Sequence, residues 1–245
     1  MDNESQSPPA EKTAPAINLP TVVWVLIAFL LLTELALQMG GRSWEAAANY
    51  NFAFIPARIG TAAFSEYPAA SVWSFLTYGF LHAGWIHVGT NSLWLAIFAK
   101  PVEQHLGTWR FLVLLAVAII GGAALFLALN WGEPYILVGI SGGVSGLLAS
   151  AIPLMYGKRD ELYGPDHVRP LLPIEILTNR NALGFMILWL VVTLITASSA
   201  FSGSQTFLDQ ASIAWEAHIG GFFAGLIAFY ILNASVKRKP VHTIH

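Results

Sequence analysis

The sequence predicts an all-α membrane protein of six transmembrane helices, and three observations lead there. Of 245 residues, 56% are hydrophobic and only 11% charged, with a mean hydropathy of +0.61. Apolar runs of near-spanning length recur along the chain, separated by short polar segments. Finally, a glycine-rich turn holding a serine, Gly139-Ile140-Ser141-Gly142-Gly143-Val144-Ser145-Gly146, sits inside an uncharged run from Tyr135 to Tyr156. A soluble core needs none of this. The net charge of −2 comes with no basic patch interleaved with aromatics, so nucleic acid is not an expected partner. With no cysteine, neither a disulfide framework nor a thiolate metal site is available.

Residues 1–19 carry Ser, Pro, Asn and acidic groups with few large apolar ones, the composition of a disordered tail. They lack the cationic start of a signal peptide, and the apolar run that follows, Pro20 to Met39, has the length of a span. It is expected to be the first transmembrane helix, with Glu34 near its far end. From Gly40 to Ala70 aromatics (Trp44, Tyr50, Phe52, Phe54, Phe64) alternate with Arg42, Glu45, Arg58 and Glu66, as in a segment lying in the membrane interface. Further spans are expected at Leu81 to Ala99, Phe111 to Asn130, Tyr135 to Tyr156, Ala182 to Ala200 and Ala211 to Val236, giving a membrane domain over residues 20–236. A short basic tail, residues 237–245, closes the chain.

Six spans put both termini on one side. That side holds ten of the twelve Lys and Arg residues, leaving Arg42 and Arg58 for the other. By the positive-inside rule both termini are cytoplasmic, the loop Gly157 to Asn181 is cytoplasmic too, and the loop ending at Val138 faces outward. Counted from Ser141 to Tyr156, the helix in the fourth span is about 23 Å long at 1.5 Å per residue, short of a hydrocarbon core of roughly 30 Å. Ser141 therefore lies at a helix N-terminus below the outer membrane face, opening to the extracytoplasmic side.

Polar side chains are expensive in lipid, so those within spans are the candidate functional residues. His87 and Asn91, four apart, share one face of the second span and can address one point with two hydrogen-bond donors, which suits an oxyanion forming on a carbonyl. His218 enters near the outer end of the sixth span, at a depth like that of Ser141. Small residues at four-residue intervals, Gly142, Gly146 and Ser150 in one span and Ala217, Gly221 and Gly225 in the other, allow these two helices to approach closely. Taken singly, each of these residues reads as helix packing or a hydrogen bond between helices. Together they place a serine, two histidines and an asparagine in the outer halves of three spans.

At these residues the chain resembles the rhomboid intramembrane serine proteases. Gly139-Ile140-Ser141-Gly142 matches the family's GxSG, His87-Val88-Gly89-Thr90-Asn91 its HxxxN and Ala217-His218-Ile219-Gly220-Gly221 its sixth-helix histidine motif, in family order. Trp73, Leu81-His82-Ala83-Gly84-Trp85 and Glu103-Gln104-His105-Leu106-Gly107 add supporting matches, and the likeness covers about residues 20 to 236. The resemblance implies a rhomboid-like six-helix bundle and a Ser-His dyad, with cleavage of membrane proteins in or near their transmembrane segments. Ser141 is then the nucleophile and His218 the general base. His87, Asn91 and the Ser141 amide form the oxyanion hole, and Gly139 shapes the loop. No cofactor or metal is implied. The implied partners are transmembrane protein substrates and the lipid bilayer, with the oligomeric state left open. In the absence of an Arg-rich presequence, the expected location is a bacterial inner membrane.

The sequence departs from the family at three places. Ser145 stands where an aromatic commonly packs against the histidine, Ser74 where an arginine usually follows the loop tryptophan, and Glu216 where an apolar residue is frequent. None removes a reacting group. Neither Glu216, two residues from His218, nor Asp209 in the preceding loop makes a convincing third member. Gly139 to Gly143 also satisfies the G-x-S-x-G of α/β-hydrolases, with Asp209 and His218 following in hydrolase order, but span-length apolar runs leave no alternation of short strands with amphipathic helices. A rhomboid-like protein that binds helices without cutting them is expected to lose the serine or the histidine, and both are present. A transporter is disfavoured because no inverted repeat is visible.

Overall fold

The computed structural model describes residues 18–59, 68–159, 168–201 and 214–236. The tails expected at either end, apart from Asn18 and Leu19, and the loop containing Asp209 lie outside the described residues. The chain is mostly helical. Among the described residues three helices are long and apolar enough to cross a membrane: Thr21–Phe52, Thr108–Leu129 and Trp215–Ala234, with shorter apolar helices at Ser141–Met155 and Arg180–Ile195.

Helix α1 (Thr21–Phe52) runs through the expected first span and beyond it, bending at Gly41, whose φ of 72° departs from helical geometry. Arg58, buried in the turn that follows, donates from its guanidinium to the carbonyls of Ala53 and Tyr50 and lies 5.2 Å over the Tyr50 ring, closing the carbonyl end of the helix. Helix α2 (Pro68–Thr77) was not evident in the sequence, where aromatics and small residues obscure any period. It is pinned to the end of α1 by Trp73 Nε1 donating to the Asn51 carbonyl at 2.7 Å and Thr77 Oγ1 to the Phe52 carbonyl at 2.8 Å.

A single 3-10 turn, Tyr78–Phe80, leads to Gly84 and then helix α3 (Trp85–Leu106). This helix continues seven residues past the apolar stretch ending at Ala99, because nothing stops it until Gly107, whose φ of +78° breaks the chain. Helix α4 (Thr108–Leu129) begins at the next residue, so two 22-residue helices are joined by a one-residue turn. The expected fourth span divides into an extended approach and helix α5 (Ser141–Met155), in which every residue from Gly142 to Leu154 is buried. On the other side of α5, strands β1 (Lys158–Arg159) and β2 (Val168–Arg169) pair antiparallel and precede the one-and-a-half-turn helix α6 (Pro173–Thr178). Glu175 binds this region together: its carboxylate accepts from Arg169 and from the Leu172 amide, both at 2.8 Å, and meets Lys158 at 3.5 Å. These partners hold the Glu175 carboxyl down at about 2 instead of 4.5, chiefly through the Arg169 hydrogen bond.

Among the described residues, helix α7 (Arg180–Phe201) meets its neighbours through Trp189 stacked on Phe222 at 4.4 Å and Phe185 against Phe98 and Tyr156. Helix α8 (Trp215–Ala234) instead forms the most extensive contacts in the molecule, with α4 and with α5. These contacts follow from missing side chains. A Cβ on Gly221 would collide with the Gly142 carbonyl, one on Gly225 with the Gly146 Cα, and one on Gly220 with the Gly121 carbonyl. Ser150 Oγ donates to the Gly146 carbonyl of its own helix at 2.7 Å and lies 3.2 Å from the Gly225 carbonyl. Helix α5 thus sits at the centre, surrounded by α3, α4 and α8.

Candidate active site

Ser141 is the first residue of α5, and the chain reaches it by a turn that only glycine takes readily. Gly139 has φ +108°, and its N–H donates to the Tyr78 carbonyl at 3.0 Å. Before it, Leu137 and Phe54 exchange two backbone hydrogen bonds, 2.9 and 3.1 Å, which tie the approach to the segment after α1. The first backbone amide of α5 to find a carbonyl within the helix is that of Val144, bonded to Ile140 at 2.9 Å. By helix geometry the amides of Ser141, Gly142 and Gly143 remain unpaired within it, at the end of the helix whose dipole favours negative charge.

His87 and Asn91 lie on the face of α3 that meets this turn. A Cβ built on Gly139 would stand 2.8 Å from both Cε1 and Nε2 of His87 and 3.5 Å from Asn91 Nδ2, so both donor groups face the space that the absent Gly139 side chain leaves open, two residues before Ser141. The tautomer of His87 follows from its other nitrogen: Nδ1 accepts the Ala83 N–H at 3.3 Å, which leaves the neutral ring's proton on Nε2, facing the turn. Asn91 is 6% exposed, and its Nδ2 makes no hydrogen bond within the protein. A buried amide nitrogen without a partner is costly unless something else accepts from it.

His218 occupies the first turn of α8, its N–H directed to the Ala214 carbonyl at 3.4 Å. The Ala217 carbonyl lies 3.0 Å from the position a Cβ on Gly142 would take, so the Ala217–His218 peptide runs beside the residue following Ser141. Among the described residues no hydrogen bond joins Ser141 to His218; what the glycines bring together is the backbone of the two helices. Glu216 is engaged elsewhere, accepting from Asn130 Nδ2 at 3.3 Å at the end of α4. Ser145, one turn deeper than Ser141, is buried, as is Ser74 in α2. No group of three or more His, Asp or Glu side chains converges among the described residues as a metal would require.

Tyr78 is a member of this wall that the sequence did not mark. It is fully buried, donates its hydroxyl to the Ile119 carbonyl at 2.8 Å, and stands 2.9 and 3.2 Å from the Cβ positions of Gly122 and Gly142. A tyrosine in a run of aromatics carries no signal of such a role, since the glycines it touches lie on other helices.

Residues 69–235 match the Rhomboid domain. The chain belongs to the rhomboid family. Among curated rhomboids it is 29% identical over 170 residues to rhomboid protease GlpG of Yersinia enterocolitica, an alignment covering 68% of this chain and 50% of that protein. It is 28% identical over 170 residues to the putative rhomboid protease YdcA of Bacillus subtilis, covering 68% and 70% respectively. GlpG of Photorhabdus laumondii is 26% identical over 159 residues, 64% of this chain and 46% of that protein. The chain thus spans about half the length of the GlpG relatives it matches. With its apolar helices, this rhomboid is an integral membrane protein of a protease family.

Proposed function

We propose that the protein is an intramembrane serine endopeptidase that hydrolyses peptide bonds in or near the transmembrane segments of other membrane proteins. In this mechanism Ser141 Oγ attacks the substrate carbonyl while His218 accepts its proton. The oxyanion that forms takes hydrogen bonds from His87 Nε2, Asn91 Nδ2 and the Ser141 amide. His218 then returns the proton to the leaving amine, and water, deprotonated by His218, hydrolyses the acyl-serine. The observation that carries this reading is the convergence of two proton-bearing nitrogens, from His87 and Asn91, on Gly139, two residues before a serine at a helix N-terminus. The bundle is read as six spans with both termini cytoplasmic, in a bacterial inner membrane, with the site opening outward.

The test is labelling of the purified protein with a fluorophosphonate probe, together with cleavage of a transmembrane substrate in liposomes. The expected outcome is labelling and cleavage by the wild type and neither by Ser141→Ala, with insertion and melting temperature retained. Labelling that persists in Ser141→Ala removes Ser141 from the role. A second reading, a rhomboid-like protein that binds transmembrane helices with little or no cleavage, is favoured by one feature, that no hydrogen bond joins Ser141 to His218. Hydrogen bonds of this kind often tighten only around substrate. A wild type that binds a transmembrane peptide but neither labels nor cleaves would establish that second reading.

A further inference from the structure

His82 lies just before α3 and is 6% exposed; the Phe80 backbone is beside its ring, but neither ring nitrogen makes a well-aligned hydrogen bond to another described residue. Its ring is not idle. The His82 and His87 centroids are 5.0 Å apart with the planes at 74°, an edge-to-face contact within the range in which aromatic rings attract. The next residue, Ala83, supplies the N–H that His87 Nδ1 accepts. Gly84, with φ +106°, then turns the chain into α3. His87 is therefore held from two directions by consecutive residues of one short turn. A ring meets it edge to face, and an amide fixes both its orientation and its tautomer. Of these two contacts, loss of the ring would leave the 3.3 Å hydrogen bond to hold the partly exposed imidazole turned toward Gly139.

We infer that His82 is a positioning residue for His87, packing its ring against the imidazole so that Nε2–H stays aimed at the oxyanion position beside Gly139. The inference rests on the proteolytic reading of the site and deepens it. His82 touches neither substrate nor nucleophile. Its contribution is to the transition state alone, since a misaimed oxyanion donor weakens the charged intermediate without changing how the substrate docks.

The experiment is a set of variants of the full chain in liposomes, read by kcat and KM on one transmembrane substrate and by thermal melting. His82→Ala should lower kcat by about 10²-fold, the order that follows from misplacing a reacting group by about 1 Å, with KM nearly unchanged. His82→Phe, which keeps a ring, should recover turnover relative to His82→Ala, whereas His82→Gln, polar but without a ring, should not. In a double-mutant cycle, His82→Ala should cause little further loss when His87 is already alanine, because its effect passes through that ring. Multiplying losses, or an active His82→Gln beside an impaired His82→Phe, would overturn the inference. Should His82→Ala fail to fold, the Phe and Gln variants decide by the same comparison. A wild type without turnover or probe labelling is failure of the proteolytic reading itself; an active wild type with indifferent His82 variants is failure of this inference alone.

Discussion

Gly139 is the residue on which the geometry of the site turns, because it supplies at one position both a backbone conformation and an open space. Gly139→Ala would force an L side chain into φ +108° and set its Cβ 2.8 Å from the His87 ring. The expected loss of turnover is on the order of 10²-fold, in a protein whose far-UV spectrum and insertion are unchanged. A fully active alanine variant would show that His87 and Asn91 do not act at that point. The two donors should themselves differ. His87 Nε2 is nearer than Asn91 Nδ2 to the same reference position, 2.8 against 3.5 Å, so His87→Ala is expected to lower kcat by about 10²-fold or more and Asn91→Ala by less. Measured kcat and KM for the pair decide this: turnover left intact in both variants would reduce them to packing residues of α3.

At the scale of elements, the contact between α5 and α8 is made by absent side chains, and it is sharply testable. A Cβ at Gly146 would collide with the Cβ of Ala118 in α4 and stand 2.8 Å from the Gly221 carbonyl of α8, and one at Gly221 would collide with the Gly142 carbonyl, whereas nothing lies within 4 Å of the Cβ position at Gly184 in α7. Gly146→Val and Gly221→Val should each abolish proteolysis and destabilise the bundle by about 1–3 kcal/mol or more, because packing rather than a hydrophobic drive holds helices together in lipid. Gly184→Val should melt close to the wild type, and three variants indistinguishable in activity and melting would remove the glycines from the alignment of Ser141 with His218. This stripe was legible in the sequence because four-residue spacing of glycine survives translation into a helix face. Helices do lie along each of the apolar runs, and three of them are long and apolar enough to cross a membrane. What could not be read were features set by partners distant in the chain. Helix α2 is defined by hydrogen bonds to Asn51 and Phe52, the Tyr78 hydroxyl by a carbonyl 41 residues on, and the strand pair by register across a loop. For α3 the missed signal was local: a helix outlasts its apolar stretch until a residue such as Gly107 ends it.

For the whole molecule, the absence of cysteine makes topology directly measurable, since any single introduced thiol is unique. In the proposed orientation, Arg42→Cys should react with a membrane-impermeant maleimide from the extracytoplasmic side, and Lys158→Cys only after the membrane is opened; the reverse pattern would invert the protein. The side carrying Lys158 also has a pH limit. Because the Glu175 carboxyl is held at about 2 rather than 4.5, its link to Arg169, Lys158 and the Leu172 amide is fully present above pH 4.5 and is lost as the pH falls toward 2. Amide exchange at Leu172 should rise over that interval beyond the intrinsic acid dependence, and Glu175→Gln should remove the dependence; exchange that ignores the substitution would mean that the carboxylate does not hold the turn. The central position of α5 bears on biosynthesis as well. Its residues from Gly142 to Leu154 are all enclosed, and its most extensive contact is with α8, the last of the described helices to leave the ribosome. Until α8 is made, the serine-bearing helix lacks its most extensive packing partner and the histidine has not yet been translated. On the proposed mechanism, a nascent chain would hold a nucleophile without its base, and membrane proteins inserting alongside it would meet no half-built hydrolase.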